Sequence, residues 1–207
     1  MIFLLDNRDS FTFNLEHALR ALGAEVEVQR STEIDLDGVL ERGPRGVLVG
    51  PGPGEPADGG CSEAVVREMP RHCPVLGICL GMQAMATAFG GHLAPARELV
   101  HGRTRPLVHD GRGIFEGLPS PLELACYNSL VVAHDDLPKV LEISATGTGE
   151  EIGALRHRTL PLEGLQVHPE SILCLEAGGR DILRNFLIST GEIEAHDRIS
   201  TAPQTEA

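Results

Sequence analysis

The 207-residue chain is long enough to fold around one sizeable core. Aromatic residues make up only 3% of it, with no Trp and one Tyr, which argues against a base-stacking nucleic-acid binder. A formal net charge of −13 disfavours phosphate backbones and anionic membranes, and favours small molecules or proteins as partners.

In chain order, MIFLLD reads as a short buried strand. Asp9 or Ser10 is placed to cap the helix FTFNLEHALRAL, which Gly23 closes. AEVEV alternates as a second strand, and GVLVG is a third, followed by the stiff turn PGPGEP. CSEAVVREM reads as a helix, PVLGI as a fourth strand, and LGMQAMATAF as the next helix, closed by Gly90 and Gly91. Apolar strands alternating with helices imply an α/β fold: an open, mostly parallel central sheet with helices on both faces. The second half is richer in short alternating runs (LELACYNSLVVA, VLEISATG, EEIGALRH and LEGLQVH), which predict a smaller antiparallel addition, and GRDILRNFLIS is the last helix. Residues 1–190 are expected to form the domain, with 191–207 a polar, flexible tail. No stretch reads as a signal peptide or membrane span. The cysteines, five in number and without a CxxC, fit a reducing cytoplasm better than a disulfide framework or a zinc site.

Residues 77–81, GICLG, fall at a strand-to-helix junction on the carboxyl edge of the sheet, where open α/β folds bind ligands. The pattern is the cysteine version of a nucleophile elbow, in which flanking glycines make room for a strained nucleophile. Free N–H groups of the following helix favour the thiolate of Cys79, and the N–H of Leu80 can meet an oxyanion. The same glycines would also serve tight helix–sheet packing around a small core cysteine. The other four cysteines (Cys61, Cys73, Cys126 and Cys174) read as small apolar residues.

Among nine histidines, His168 stands out in LQVHPES. Pro169 favours extended backbone before it, and in extended chain Glu170 shares its face. A histidine with an orienting carboxylate is the base a cysteine nucleophile needs. Pro51–Gly54, PGPG, follows the third strand onto the same edge. Alone it would be a plain turn, but its glycines also let backbone N–H groups approach a ligand closely.

With these stretches in place, the chain resembles a class I glutamine amidotransferase domain, most closely the small subunits of anthranilate synthase and aminodeoxychorismate synthase. LLDNRDSFTFNL, HGRTRPL, CYNSLVV and GLQVHPESI also resemble stretches of that subgroup, and the likeness runs from Met1 to about Ser189. The resemblance implies that Cys79 attacks the carboxamide of L-glutamine and that His168, oriented by Glu170, moves the protons. Gly52, Pro53 and Gly54 would join the Leu80 N–H around the oxyanion. Gln83, Ser129 and Leu130 would bind the substrate, the last two largely through backbone. Ammonia would pass to a chorismate-binding synthase subunit in a hetero-oligomer serving tryptophan, folate or specialised metabolism. No metal or cofactor is expected in this chain, and Mg2+ is expected on the partner. A free-standing cysteine hydrolase and a non-catalytic regulatory subunit are the alternatives; the PGPG loop with CLGMQ speaks against the first, and the intact triad against the second. Met82, Asn128, Val167 and Arg105 depart from the subgroup's usual His, His, Phe and Ser. Arg97, His101, Arg103 and Arg105 form a basic stretch that the resemblance places near the synthase-facing surface.

Overall fold

A computed structural model describes residues 1–99 and 101–195. The first half alternates strand and helix: β1 (Ile2–Asp6), α1 (Thr12–Ala21), β2 (Val26–Arg30), α2 (Leu36–Glu41), β3 (Gly46–Val49), α3 (Ser62–Glu68), β4 (Val75–Ile78) and α4 (Leu80–Ala88). The second half runs β5 (Leu93–Pro95), β6 (Arg103–His109), β7 (Leu122–Cys126), β8 (Leu130–Val132), β9 (Leu141–Thr146), β10 (Ile152–His157), β11 (Leu162–Leu165) and α5 (Gly179–Ser189). The main sheet has the order β2-β1-β3-β4-β11-β10-β9-β6-β7, and β5 pairs with β8 alone. From β2 to β11 every pairing is parallel; from β11 to β7 every pairing is antiparallel. The expected α/β class is therefore observed. The antiparallel part largely extends the same sheet.

β1 shows why the parallel strands read as unbroken apolar runs. Ile2 and Leu4 pack in one core with Leu15 and Leu19 of α1 and Ile182 and Leu183 of α5. Phe3 and Leu5 pack in the other, with Val39 of α2, Val65 of α3 and Met82 and Met85 of α4. Successive side chains point to opposite faces, so a strand covered on both sides must be apolar at every position. Each fully buried Leu or Phe stabilises the fold by roughly 1.5–3 kcal/mol.

α1 begins differently from the sequence expectation. Neither Asp9 nor Ser10 caps it; Phe11 is the N-cap and makes no side-chain bond to the helix. Instead Asp6, at the end of β1, accepts from Thr12 Oγ1 at 2.8 Å and from the backbone N–H of Arg8 at 2.9 Å, while Asp9 accepts from the Phe11 N–H at 2.7 Å. The aspartates therefore fold the turn itself. α2 lies in a stretch that no periodicity marked, because it is only six residues long with Gly38 inside it; Asp35 caps it by accepting from the Gly38 N–H.

The antiparallel flank is held by charge as well as apolar packing. Arg156 of β10 donates to Glu163 of β11 at 3.1 Å, to Asp110 after β6 at 2.8 Å and to Glu142 of β9 at 3.3 Å. Burial pushes the Glu163 carboxyl above its ordinary range, although Arg156 pulls the other way. At the end of α5, Glu192 accepts from the Met1 ammonium at 2.8 Å and from the Glu25 N–H at 3.1 Å, so the chain is still anchored where the tail was expected to begin. The rest of that expected tail, 196–207, lies outside the described residues. Among the described residues no helix is long and apolar enough to cross a membrane.

Candidate active site

The loops after β1, β3, β4 and β11 converge at the carboxyl edge of the parallel strands, as the α/β pattern requires. Cys79 sits between β4 and α4 with φ 53° and ψ −105°. A β-free, positive-φ conformation in a residue with a side chain is strained and persists only where its surroundings impose it. The flanking glycines show how. A Cβ on Gly81 would lie 2.2 Å from the carbonyl oxygen of Val49 in β3, and one on Gly77 would lie 2.5 Å from the Gly81 backbone. The backbone of α4 thus rests directly on β3 and β4. Both readings of the glycines hold at once: they permit the elbow and the close helix–sheet packing. Cys79 is held further by its N–H, which donates to the Leu165 carbonyl of β11 at 2.7 Å.

His168 Nδ1 lies 2.7 Å from Glu170 Oε1, and both side chains are buried. The expected pairing is present, but not in the expected backbone. β11 ends at Leu165, Gln166 and Val167 bend away, and His168 forms an isolated antiparallel bridge to Ala125 of β7, to whose carbonyl its N–H donates at 2.8 Å. Glu170 follows on a turn. His168 therefore straddles the two halves of the sheet. Tyr127 packs edge-on against the imidazole, with ring centres 5.0 Å apart, and Phe11 packs at 5.3 Å. Burial is the largest single influence on the imidazole and works against its charge, yet the Cys79 sulfur and the Glu170 carboxylate outweigh it and raise its pKa to about 10. In contrast, burial pushes the thiols of Cys61, Cys73, Cys126 and Cys174 up to about 11, which leaves them protonated and inert at neutral pH.

A model of the family described as "Glutamine amidotransferase class-I" matches residues 3–190. The chain belongs to the class I glutamine amidotransferase family. Among curated relatives of this amidotransferase, aminodeoxychorismate synthase component 2 of Escherichia coli is 44% identical over 187 residues, covering 90% of this chain and 99% of the relative. Anthranilate synthase component 2 of Pseudomonas aeruginosa is 41% identical over 198 residues, covering 93% and 98%. A Bacillus subtilis protein named aminodeoxychorismate/anthranilate synthase component 2 is 42% identical, covering 90% and 95%. A solved glutamine amidotransferase from Thermotoga maritima shares the fold, with a TM-score of 0.74 at 17% identity over 93% of this chain and 98% of that one.

The amidotransferase cleft has a volume of about 120 Å3, well below that of a drug-sized pocket. Gly52, Pro53, Gly54, Cys79, Gln83, Ser129 and Leu130 all line it. Gly52 is there for space: a Cβ would lie 2.6 Å from the Asn7 Cβ and 2.8 Å from its carbonyl oxygen. Leu80, expected to offer its N–H, is the first residue of α4, and its side chain is fully buried beneath the PGPG loop rather than lining the cleft.

The backbone expected to meet the substrate is already partly bonded within the chain. The carbonyl of Ser129 already accepts from the Ala96 N–H at 2.9 Å, and that of Leu130 accepts from Gln83 Nε2 at 3.1 Å and Asn128 Nδ2 at 3.2 Å. The Leu130 carbonyl thus has a donor for each of its two lone pairs, whereas the Ser129 carbonyl, with one donor, can still accept from an ammonium group. Gln83 commits its amide nitrogen to Leu130 and to Gln166 Oε1, also at 3.1 Å, so its Oε1 is the atom left for a ligand.

Three residues of the site carried no assigned role in the sequence reading. Asn7 donates to the Gly50 carbonyl at 2.9 Å and accepts from Ser62 Oγ at 2.8 Å, which fixes the PGPG loop against β1. Tyr127 lines the cleft and reaches Ser171 Oγ at 3.1 Å. Gln166 lies against Cys79, with Nε2 3.5 Å from Sγ. Their signal was present in LLDNRDSF, CYNSLVV and GLQVHPES, but an amide or phenol has no titration or spacing rule that marks it. The basic stretch also changes character: Arg105 is mostly buried and paired with Glu98, and His101 packs edge-on against Tyr127. Met82 covers Gly164 of β11, where a Cβ would lie 2.6 Å from its Cγ, so this departure faces the core and not the cleft. Among the described residues no cluster of His, Cys, Asp and Glu could hold a metal ion.

Proposed function

We propose that this chain hydrolyses L-glutamine through Cys79, His168 and Glu170 and delivers ammonia to a chorismate-aminating synthase subunit of the anthranilate synthase type. The observation that carries the reading is Cys79 at a strained elbow together with a buried imidazole that Glu170 holds at 2.7 Å and whose charged form the Cys79 sulfur favours. The Cys79 thiolate attacks the carboxamide carbon. The C–N bond then breaks, its electron pair leaves with nitrogen, and His168 supplies the proton that completes ammonia. A raised pKa suits this step, since the imidazolium is the form that can protonate a leaving amine. Water then adds to the glutamyl thioester, giving its proton to His168, and glutamate leaves as the C–S bond breaks. The PGPG loop and the Leu80 N–H surround the oxyanion, and Gln83 Oε1 accepts from the substrate ammonium.

Curated relatives of similar identity are named for anthranilate synthase, for aminodeoxychorismate synthase or for both, which supports the glutaminase reading and leaves the aminodeoxychorismate synthase type as its alternative. Each of these steps is carried by groups of this chain, and Mg2+ would serve the partner's chorismate chemistry. The test is Cys79→Ser in the complex. Glutamine-dependent amination of chorismate should fall by several orders of magnitude while ammonium-dependent amination stays within twofold. Normal glutamine turnover in that variant rules the mechanism out.

A further inference from the structure

Gln166 is 4% exposed and is hydrogen-bonded to two residues that line the cleft, Cys79 and Gln83. Its orientation is not arbitrary. The Leu130 carbonyl can only accept, so the Gln83 atom facing it at 3.1 Å must be the amide nitrogen. The same nitrogen lies 3.1 Å from one end of the Gln166 amide, which must therefore be the oxygen. The other end, facing Cys79 Sγ at 3.5 Å, is then an N–H donor. A backbone carbonyl in β8 thus sets the polarity of a chain of amides that ends on the sulfur.

We propose that Gln166 is a further catalytic residue, which stabilises negative charge on Cys79 Sγ and acts chiefly when the thioester is hydrolysed. This rests on the glutaminase reading above. A donor aimed at sulfur favours the thiolate over the uncharged thioester. During attack on glutamine the charge leaves sulfur, so the donor gains nothing there. During hydrolysis water oxygen bonds to the acyl carbon, the water proton passes to His168, the C–S bond breaks and its electron pair returns to sulfur. A donor at that sulfur stabilises the departing thiolate. Gln166 faces the sulfur from the loop after β11, which also carries His168 and Glu170, so two groups from one short loop serve opposite sides of the same step.

The test compares Gln166→Met and Gln166→Glu in the full chain with glutamine as substrate. Met keeps the length of the side chain without a donor. Glu keeps an oxygen to accept from Gln83 but places a carboxylate beside the sulfur. A donor role predicts the activity order Gln, then Met, then Glu. It also predicts that kcat falls about tenfold in Gln166→Met, as expected for loss of a hydrogen bond to a charged group. The glutamyl thioester should accumulate on Cys79 in acid-quenched samples read by mass spectrometry, with KM unchanged or lower. If Gln166 only braces Gln83, Gln166→Glu retains near-normal turnover, Gln166→Met is the worse variant with raised KM, and no thioester accumulates. That result overturns the proposal. Labelling of Cys79 in the unmodified chain by an electrophilic glutamine analogue keeps the two readings separable. Failure to label removes the glutaminase reading and this proposal together, whereas labelling with the order reversed removes this proposal alone.

Discussion

The parallel and antiparallel parts of one sheet meet at β11 and divide the labour. On the parallel side, strands apolar on both faces lie beneath helices, and all their following loops emerge at one edge. On the antiparallel side, Arg156 ties three acidic groups together, and the loops leave in both directions. Cys79, the proposed nucleophile, belongs wholly to the parallel part. His168, the proposed base, belongs to both, since it leaves β11 and is caught by Ala125 of β7. Chemistry needs the parallel part for a common edge, and the flank is what stops the base from following its own strand away.

Five measurements break or sharpen that division. The largest effect is expected at the junction. His168→Ala should lower glutamine turnover by several orders of magnitude, and Glu170→Gln by less, because the carboxylate orients the imidazole and does not itself transfer the proton. Equal losses would remove the ranking of roles. Nitrogen-15 NMR of the imidazole gives an independent check: with its pKa raised to about 10, the ring should keep both protons above pH 8, and Cys79→Ser should move that titration down.

Next comes the parallel part. Gly81→Ala forces a methyl against the Val49 carbonyl, which is backbone and cannot swing aside. It should cost about 3 kcal/mol or prevent folding. Gly90→Ala meets no atom within 4 Å and suffers only from its φ of 97°, so it should cost about 1 kcal/mol. Similar melting points for the two would show that α4 is seated loosely.

In the flank, Arg156→Met should lower stability by about 2 kcal/mol, read by chemical denaturation, because it leaves Glu163 buried beside no cation. Folded molecules should keep normal glutamine turnover; a loss there would mean that the flank shapes the site beyond holding His168.

The smallest effect concerns the surface. Arg103→Glu should leave folding within about 0.5 kcal/mol and slow association with the synthase subunit, more so at low salt. Unchanged association kinetics would place the interface elsewhere. Arg105→Glu is a poorer probe, since it would set two carboxylates together at Glu98.

How much could be read from the sequence follows the same division. β1, β3 and β4 were legible because burial on two faces forces an unbroken apolar run, and GICLG was legible because a strained turn at a sheet edge permits few residues. His168 and Glu170 were paired correctly by an argument about extended backbone that the chain does not follow. What holds them is a bridge to β7, and pairing between distant strands leaves no local pattern. The amides of Asn7, Gln83 and Gln166 fared worst: their roles depend on which end of each side chain faces which carbonyl, and only coordinates carry that. The Arg156 cluster joins residues from 110 to 163 and looks in the sequence like ordinary surface charge.

The seating of α4 limits how a partner could switch this enzyme on. Gly77 and Gly81 bring the helix backbone against β3 and β4, and Gly164 admits Met82 against β11, so the helix is wedged on three strands at once. Densely packed interiors do not deform gradually. A signal arriving at the protein surface therefore has no sliding helix to push, and Cys79 stays where the sheet puts it. If a synthase subunit activates this chain, the PGPG loop and residues 127–130 would close around a fixed Cys79, and coupling would show as ordering of those segments with the elbow unmoved.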